Sequence, residues 1–133
     1  MALDYPVPIP FADRLGIALL AMGDGAASVG CSAEASLCNS YGTAHGGLLM
    51  ALLDLAMVHA ARSPRAGEPT PPTRCVTINM NTSFLKGGTG ALRAEARVVS
   101  RTRSLAFCEA SVVDAEQQVL ARASATFRLV QDH

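Results

Sequence analysis

One long apolar stretch, residues 46–62, restricts what this chain can fold into. It reads GGLLMALLDLAMVHAAR and consists mainly of leucine, methionine and alanine, which favour helix, and it is far longer than a typical strand. Its leucines, Met57 and Val58 cover every side of such a helix, and a helix that is apolar all round belongs in a core. The rest of the chain is therefore expected to wrap around one helix.

The segments on either side of this helix are typical of strands. Before it, residues 15–22 and 26–33 flank Gly23-Asp24-Gly25, a tripeptide that suits a tight hairpin turn. After it, four more strand-like segments follow a proline-rich loop at residues 63–73. They are residues 73–85, 91–100, 104–114 and 119–130, of which the last three are expected to form an antiparallel meander.

This order of elements predicts the fold class. Two strands, one helix and four strands, without βαβ alternation, indicate an α+β fold in which a curved antiparallel sheet surrounds the helix. With 133 residues, half of them apolar, the chain is long enough for one domain, predicted at residues 15–133. A leader, residues 1–14, precedes it, and Pro10–Gly16 is expected to form one helical turn. In the first strand after the loop, alternation places Val76, Ile78 and Met80 on one face.

Charge and composition argue against several classes of protein. The formal net charge is zero and the 11 basic residues are scattered singly, so no nucleic-acid surface is expected. The four cysteines form no C-x-x-C pair, which fits neither a metal framework nor a disulfide scaffold, and they are expected to be reduced. The start lacks signal-peptide features and the first apolar run is too short to span a bilayer, which predicts a cytoplasmic protein without membrane contact.

An acid interrupts the apolar helix at Asp54. An ionised carboxylate in an apolar core is heavily penalised unless it is paired, hydrogen-bonded or chemically useful. The alternative is an acid at the helix edge that caps a neighbouring loop. Helical spacing places small residues and methionines on the same face, which would suit an apolar ligand: Gly47, Met50, Ala51, Met57 and Val58.

Glycines at the start of the same helix are the second unusual feature. In His45-Gly46-Gly47, missing side chains would let a substrate oxygen approach the unpaired N–H groups of a helix N-terminus, as an oxyanion site requires. A plain turn is the alternative reading of the glycine pair. Gly46 and Asp54 lie about 12 Å apart along one helix, so a single reacting group cannot touch both. Two chains with antiparallel helices could bring them together, which predicts a dimer with shared active sites.

At these residues the sequence resembles the hotdog-fold acyl-CoA thioesterases, in particular the phenylacetate-pathway branch. The matching pattern is N-x-x-G-x-x-H-G-G, read as Asn39, Gly42, His45, Gly46 and Gly47, followed nine residues after the histidine by Asp54. The likeness extends over residues 15–130. It implies a hotdog fold, a curved sheet around one long helix, and assembly as homodimers or as homotetramers built from them.

The resemblance also implies roles for individual residues. Asp54 is expected to be the catalytic carboxylate, acting as general base on water or as nucleophile toward the thioester carbonyl. Gly46 is expected to donate the N–H that polarises that carbonyl, Gly47 to clear space, and Asn39 to orient water or substrate. His45 is expected to brace the loop or to contact the ligand.

The resemblance also implies positively charged side chains near the mouth of the pocket, where they would bind the coenzyme A arm of the substrate. Arg103 and Ser104 are the main candidates, with Lys86 and Arg101 weaker ones for which a solvated turn is the alternative. Some members of the family carry a hydroxyl residue one helical turn after the acid and another after the third strand. In this chain Val58 and Lys86 occupy those positions. The missing hydroxyl groups bear on how the attacking water would be positioned. His59 fits a polar residue at the helix end better than a replacement catalyst.

These expectations lead to one main function and three alternatives. The main hypothesis is hydrolysis of an apolar acyl- or aryl-CoA substrate to free acid and coenzyme A, without metal or other cofactor. A hotdog dehydratase or hydratase is less consistent with the H-G-G-x7-D spacing. A non-catalytic acyl-CoA binding or sensing module has no use for the acid, and a scaffold explains neither the acid nor the glycines.

Overall fold

The computed structural model describes residues 2–68, 71–72 and 74–131. In this part of the chain the elements are, in order, helix α1 (Pro10–Leu15), strands β1 (Ala18–Gly23) and β2 (Ala26–Ala33), a 3₁₀ turn (Ala35–Leu37), helix α2 (Gly46–Ala61), and strands β3 (Arg74–Phe84), β4 (Gly90–Arg101), β5 (Leu105–Val113) and β6 (Val119–Val130). None of the helices in these residues is long and apolar enough to cross a membrane.

The six strands form one antiparallel sheet in the order β1-β2-β4-β5-β6-β3. Helix α2 packs against all six strands, so the sheet curves around it. The predicted fold class is therefore confirmed: this is the hotdog arrangement, an α+β fold with one long central helix. The meander of β4, β5 and β6 is also as predicted.

Helix α2 is buried along most of its circumference because its side chains are apolar in nearly every direction. Five of its leucines are buried and belong to the same core as the inward-facing residues of the sheet: Leu48, Leu49, Leu52, Leu53 and Leu55. On β4 and β5, which pack closely on α2, half of the buried inward residues are alanines, as in Ala94 and Ala96 of β4. Small side chains let a wide helix sit close to a curved sheet.

The expected alternation along β3 is wrong after Thr77. The pairing with β6 shifts between Thr77 and Asn79, which leaves Ile78 as the extra residue of a bulge. Thr77 pairs with the fully buried Phe127 and so faces inward, and Met80 faces inward beyond the bulge. A bulge reverses the side on which each later residue falls, and a period of two does not reveal it.

The chain enters the sheet later than predicted. Leu15, expected to open the first strand, instead ends α1, because Gly16 adopts a φ of 70° and closes the helix. The leader then packs on the sheet edge, where the Leu3 N–H donates to the Leu19 carbonyl at 2.7 Å. The β1–β2 turn is as predicted, since Asp24 (φ 52°) and Gly25 (φ 75°) both have the positive φ of a tight hairpin turn.

Candidate functional site

The first turn of α2 leaves one backbone donor free. His45 is the N-cap, and its Nδ1 accepts a hydrogen bond from the Gly47 N–H at 2.8 Å. The N–H groups of Leu48 and Leu49 donate to the His45 carbonyl at 2.9 and 3.2 Å. Within the described residues, the Gly46 N–H has no such partner. It is therefore the donor at this helix end that is available to a ligand.

Gly47 lacks a side chain for a local reason. A Cβ atom at this position would lie 3.0 Å from His45 Nδ1, too close for comfortable packing. Gly47 thus makes room for the capping ring of His45. Of the two roles expected for His45, bracing the loop is the one its ring performs within this chain, and its remaining nitrogen is on the exposed side of the cap.

Asn39 shapes the loop that leads into α2. Its Oδ1 accepts hydrogen bonds from the N–H groups of Tyr41 and Thr43 at 2.9 and 3.2 Å, and its Nδ2 donates to Thr43 Oγ1 at 2.9 Å. The Ala44 N–H donates to the Gly88 carbonyl at 2.8 Å, which ties the loop to the chain between β3 and β4. The Asn39 side chain holds the approach to Gly46 in shape and retains one N–H of its amide for another partner.

Asp54 lies in the middle of α2 and is half-buried. Its Oδ1 accepts a hydrogen bond from the Thr77 hydroxyl at 2.8 Å, across from β3. Burial raises the pKa of Asp54 above its ordinary value, while the Thr77 hydrogen bond and the nearby His59 act in the opposite direction. The carboxylate is therefore more basic than an exposed one, and Oδ2 is left to accept a further proton or hydrogen bond.

Thr77 is a candidate functional residue that the sequence did not reveal. The departures at Val58 and Lys86 concern two other positions, whereas Thr77 supplies a hydroxyl to the acid from within β3. A threonine in a strand is ordinary. Only the bulge at Ile78 and the packing of β3 against α2 bring this one to the acid.

His59 is a core residue, only 2% exposed. Its Nδ1 lies 2.7 Å from the Leu55 carbonyl, and its ring packs on that of Tyr5 with centroids 5.0 Å apart. Burial lowers the pKa of His59 below its ordinary value. Its buried ring braces the end of α2 under the leader and does not line the exposed side of the helix.

One side of α2 stays uncovered by the sheet of its own chain. Gly47 is exposed, Met50 is 38% exposed, and Asp54 and Val58 are half-buried. Met57 was expected on this face, but it is fully buried in the core at 0% exposure, because a three-residue step turns it away from Asp54 toward the sheet. The uncovered stripe thus carries the free donor at one end and the acid near its middle.

Strand β3 forms the sheet edge beside this stripe. In the described part of the chain no strand pairs with its outer side. Large apolar side chains along it are exposed, among them Val76 and Ile78, and Phe84 and Leu85 lie exposed at its end. An unpaired edge with exposed apolar residues is a surface that a second chain can cover.

The residues proposed for the coenzyme A arm lie at two ends of the molecule. Lys86 follows β3 near the start of α2 and contacts Gln118. Arg103 and Ser104 are exposed between β4 and β5, at the end where α2 finishes. Arg101 donates to the Ala61 carbonyl and lies 3.8 Å from Glu68, so its guanidinium stabilises the helix end. One chain therefore does not bring Lys86 together with Arg103.

A broad cavity lies on the outer face of the sheet, away from α2. Its volume is about 1120 Å³ and its walls carry serines and alternating charges, such as the Arg97–Glu109 and Arg93–Glu95 ion pairs. Neither Asp54 nor Gly46 lines it. This cavity is large enough to hold a ligand. Its charges are paired with one another, however, and it lies away from the free Gly46 N–H and from the half-buried Asp54. The uncovered side of α2 is therefore the stronger candidate for the functional site.

All four cysteines are free thiols. Burial raises the pKa of Cys31 and Cys75 to about 11 and that of Cys108 to about 12, so these three thiols are poor nucleophiles near neutral pH. No group of His, Cys, Asp and Glu in the described residues could hold a metal ion. Asp54 is therefore a stronger candidate for the reactive side chain on the uncovered side of α2 than these three thiols.

Comparisons with known proteins agree with this fold. The family model described as the Thioesterase superfamily matches residues 41–121, which include Gly46, Asp54 and Thr77. The curated proteins gave no match. Among solved structures, a conserved protein from Pseudomonas aeruginosa (PA5202) has 27% identity and a TM-score of 0.82, covering 92% of this chain and 95% of its own.

Two further solved structures carry a more specific description. A mutant form of the phenylacetic acid degradation protein PaaI from Thermus thermophilus is 28% identical, with a TM-score of 0.80 over 92% of this chain and 100% of its own. The PaaI protein from the phenylacetic acid degradation operon of E. coli is 24% identical, with a TM-score of 0.81 over 90% of this chain and 83% of its own. The second of these likenesses supports the fold alone.

Proposed function

Since the chain belongs to the thioesterase superfamily, we propose that it hydrolyses an acyl-CoA thioester to a free carboxylic acid and coenzyme A. The observation that carries this proposal is Asp54, a half-buried acid with raised pKa, held at Oδ1 by the Thr77 hydroxyl on the uncovered side of α2. A binding or sensing module would gain nothing from a carboxylate whose burial costs free energy. A hydrolase uses it.

The chemistry proposed for Asp54 is general base catalysis. Thr77 occupies Oδ1, so Oδ2 is the atom that accepts a proton from water as the water oxygen attacks the thioester carbonyl carbon. The Gly46 N–H stabilises the negative charge that develops on the carbonyl oxygen. Collapse of the tetrahedral intermediate breaks the C–S bond, and the coenzyme A thiolate takes up the proton held at Asp54 Oδ2, which restores the carboxylate. Direct attack by Oδ2, through an anhydride, is the alternative route.

A homodimer with shared active sites follows from the distance between these groups. Gly46 and Asp54 are eight residues apart on one helix, about 12 Å at 1.5 Å per residue. The uncovered stripe of α2 and the free edge of β3 lie side by side, and a two-fold axis there would place Gly46 of one chain near Asp54 of the other. A tetramer built from two such dimers is part of the same proposal.

The substrate proposed is an apolar acyl- or aryl-CoA. Support comes from two apolar residues beside the acid, the exposed Met50 and the half-buried Val58, and from the phenylacetic acid degradation context of similar proteins. Arg103 and Ser104 are proposed to bind the coenzyme A arm, with Lys86 as a second cation. Hydrolysis by water needs neither metal nor redox cofactor, and acyl-CoA as substrate would place the protein in the cytoplasm.

The test is release of free coenzyme A from a panel of short, medium, long and aryl acyl-CoAs. We expect the wild type to turn over one class and Asp54→Asn to lose at least about a hundredfold, as expected for loss of a general base. Asp24→Asn is the matched control, because the asparagine fits the left-handed turn at φ 52° and lies outside the site. An Asp54→Asn variant as active as the wild type would refute the proposal, and binding without turnover would favour a sensing module.

A further inference from the structure

Phe84 is a large apolar residue that the proposed mechanism does not use. It is the last residue of β3, paired with Ala121 of β6, and the following Leu85 N–H donates to the Leu120 carbonyl at 2.8 Å. The backbone of Phe84 is thus held on both sides. Its side chain is nevertheless 53% exposed, so one side of the ring faces solvent.

The covered side of the ring lies against the first residue of α2. Three ring atoms, Cε1, Cζ and Cδ1, are 3.4, 3.6 and 3.9 Å from the point where a Cβ atom on Gly46 would stand. Because Gly46 has no side chain, the Phe84 ring packs directly against the start of α2. Gly46 is also the residue whose N–H is free, so the aromatic ring of Phe84 lies beside the residue that can donate a hydrogen bond to a ligand.

This arrangement limits the shape of whatever binds the donor. A carbonyl oxygen that accepts from the Gly46 N–H lies about 2.9 Å from the nitrogen, and the carbon next to that carbonyl is one bond further on. The Phe84 ring lies beside the Cα atom of Gly46, the residue that carries this N–H, and the pairing of β3 with β6 holds the Phe84 backbone in place. Extra bulk on that carbon would meet the ring, whereas a CH₂ group would pack on it.

From this contact we propose that Phe84 sets acyl selectivity by limiting branching at the carbon next to the thioester carbonyl. The proposal rests on the function proposed above, since it takes the Gly46 N–H as the carbonyl donor. Straight-chain and arylmethyl acyl groups carry CH₂ at that carbon and fit. Acyl groups with two substituents at that carbon are poorer substrates, because the second substituent meets the ring. Phe84 and Gly46 belong to one chain, so the selectivity is independent of which chain supplies Asp54.

The experiment compares butyryl-CoA with isobutyryl-CoA, which have the same number of carbons and differ only in branching. The ratio of kcat/KM values for the pair is measured in the wild type, Phe84→Ala and Leu85→Ala. Leu85 is the matched control, because it is the adjacent residue and is similarly exposed at 57%. We expect the preference for butyryl-CoA to fall by about tenfold in Phe84→Ala, the lower end for a pocket that discriminates one methyl-sized group, and to stay unchanged in Leu85→Ala.

A binding measurement separates this proposal from the proposed function. Ketone analogues, in which a CH₂ group stands between the carbonyl and the coenzyme A sulfur, cannot be hydrolysed, and their Kd values are compared in the same three proteins. Analogue discrimination that depends on Phe84 supports the proposal even when no thioester is hydrolysed. A Phe84→Ala variant with the wild-type ratio, or one that loses both substrates equally, overturns it. Dissociation to monomers in Phe84→Ala but not in Leu85→Ala also overturns the proposal, because Phe84 would then be an interface residue.

Discussion

At the residue scale, the key contact is the hydrogen bond from Thr77 to Asp54. Burial raises the pKa of Asp54 and the Thr77 hydroxyl lowers it, because the hydrogen bond favours the charged carboxylate. We expect Thr77→Val, which keeps the shape and removes the hydroxyl, to shift the acid limb of the pH–kcat/KM profile to higher pH. Hydrogen bonds to charged groups contribute about 1.5–3 kcal/mol, so we expect about a tenfold or greater loss of kcat/KM near that limb.

The same strand offers a control for this substitution. Thr82 also faces inward on β3, and its buried Oγ1 has no hydrogen-bond partner in the described residues. Thr82→Val removes an unsatisfied polar atom, so it should leave the pH profile in place and keep or raise the melting temperature. If Thr77→Val left the acid limb where the wild type has it, the hydroxyl would have no part in setting the charge state of Asp54.

At the scale of elements, the start of α2 can be tested without breaking the helix. Gly46 is the first helical residue, where proline is tolerated, and His45 already has the extended backbone (φ −61°, ψ 141°) that precedes proline. Gly46→Pro thus deletes the free N–H without breaking the helix, and it adds ring atoms beside Phe84 whose steric effect needs its own control. We expect kcat to fall by about 10²–10³, as for removal of one oxyanion donor. Circular dichroism should show the helix content unchanged.

Gly46→Ala separates loss of the donor from steric effects. Alanine keeps the N–H and adds a Cβ atom 3.4 Å from the Phe84 ring, a tight contact that a ring can relieve by a small shift. Its kcat should therefore fall much less than that of Gly46→Pro. Equal losses in the two variants would mean that space beside the ring, rather than the N–H, is what the reaction needs.

The elements differ in how far their roles could be predicted from sequence. Helix α2 and the glycines at its start were predictable because composition and local spacing define them. Thr77 and Phe84 were not, because the bulge at Ile78 puts Thr77 on the same face as Phe84, whereas strict alternation puts the two on opposite faces, and no periodicity shows a bulge. The cap formed by His45 was also unpredicted in detail, although a residue before Gly-Gly at a helix start is where a cap is expected.

At the scale of the whole molecule, the fold gathers charges that are scattered in the sequence. Strands β3, β4, β5 and β6 all have an end beside the C-terminus of α2, and six of the 11 basic residues lie there: Arg62, Arg65, Arg74, Arg101, Arg103 and Arg128. Glu68, 3.8 Å from Arg101, offsets part of this positive charge. A cationic end of this kind attracts phosphate groups, which supports the proposed coenzyme A role of Arg103. Sequence spacing cannot show this clustering of arginines, because the clustering depends on the direction in which each strand runs.

The shared active site is the last property of the whole molecule that can be tested. If Gly46 and Asp54 come from different chains, a heterodimer of Gly46→Pro and Asp54→Asn chains has one site with both defects and one intact site. Equal amounts of the two inactive chains, unfolded and refolded together, give heterodimers for about half of the dimers by random pairing. Specific activity should therefore recover to about a quarter of the wild-type value.

The control replaces the Gly46→Pro chain with one that carries both substitutions. Paired with Asp54→Asn, it cannot form an intact site in either arrangement, so any activity it shows is background. Native mass spectrometry of both mixtures confirms that the chains exchange. Recovery of activity in the first mixture alone assigns the acid and the donor to different chains. Chain exchange without recovery of activity means that each chain builds its own site. Water would then have to bridge the roughly 12 Å between Gly46 and Asp54.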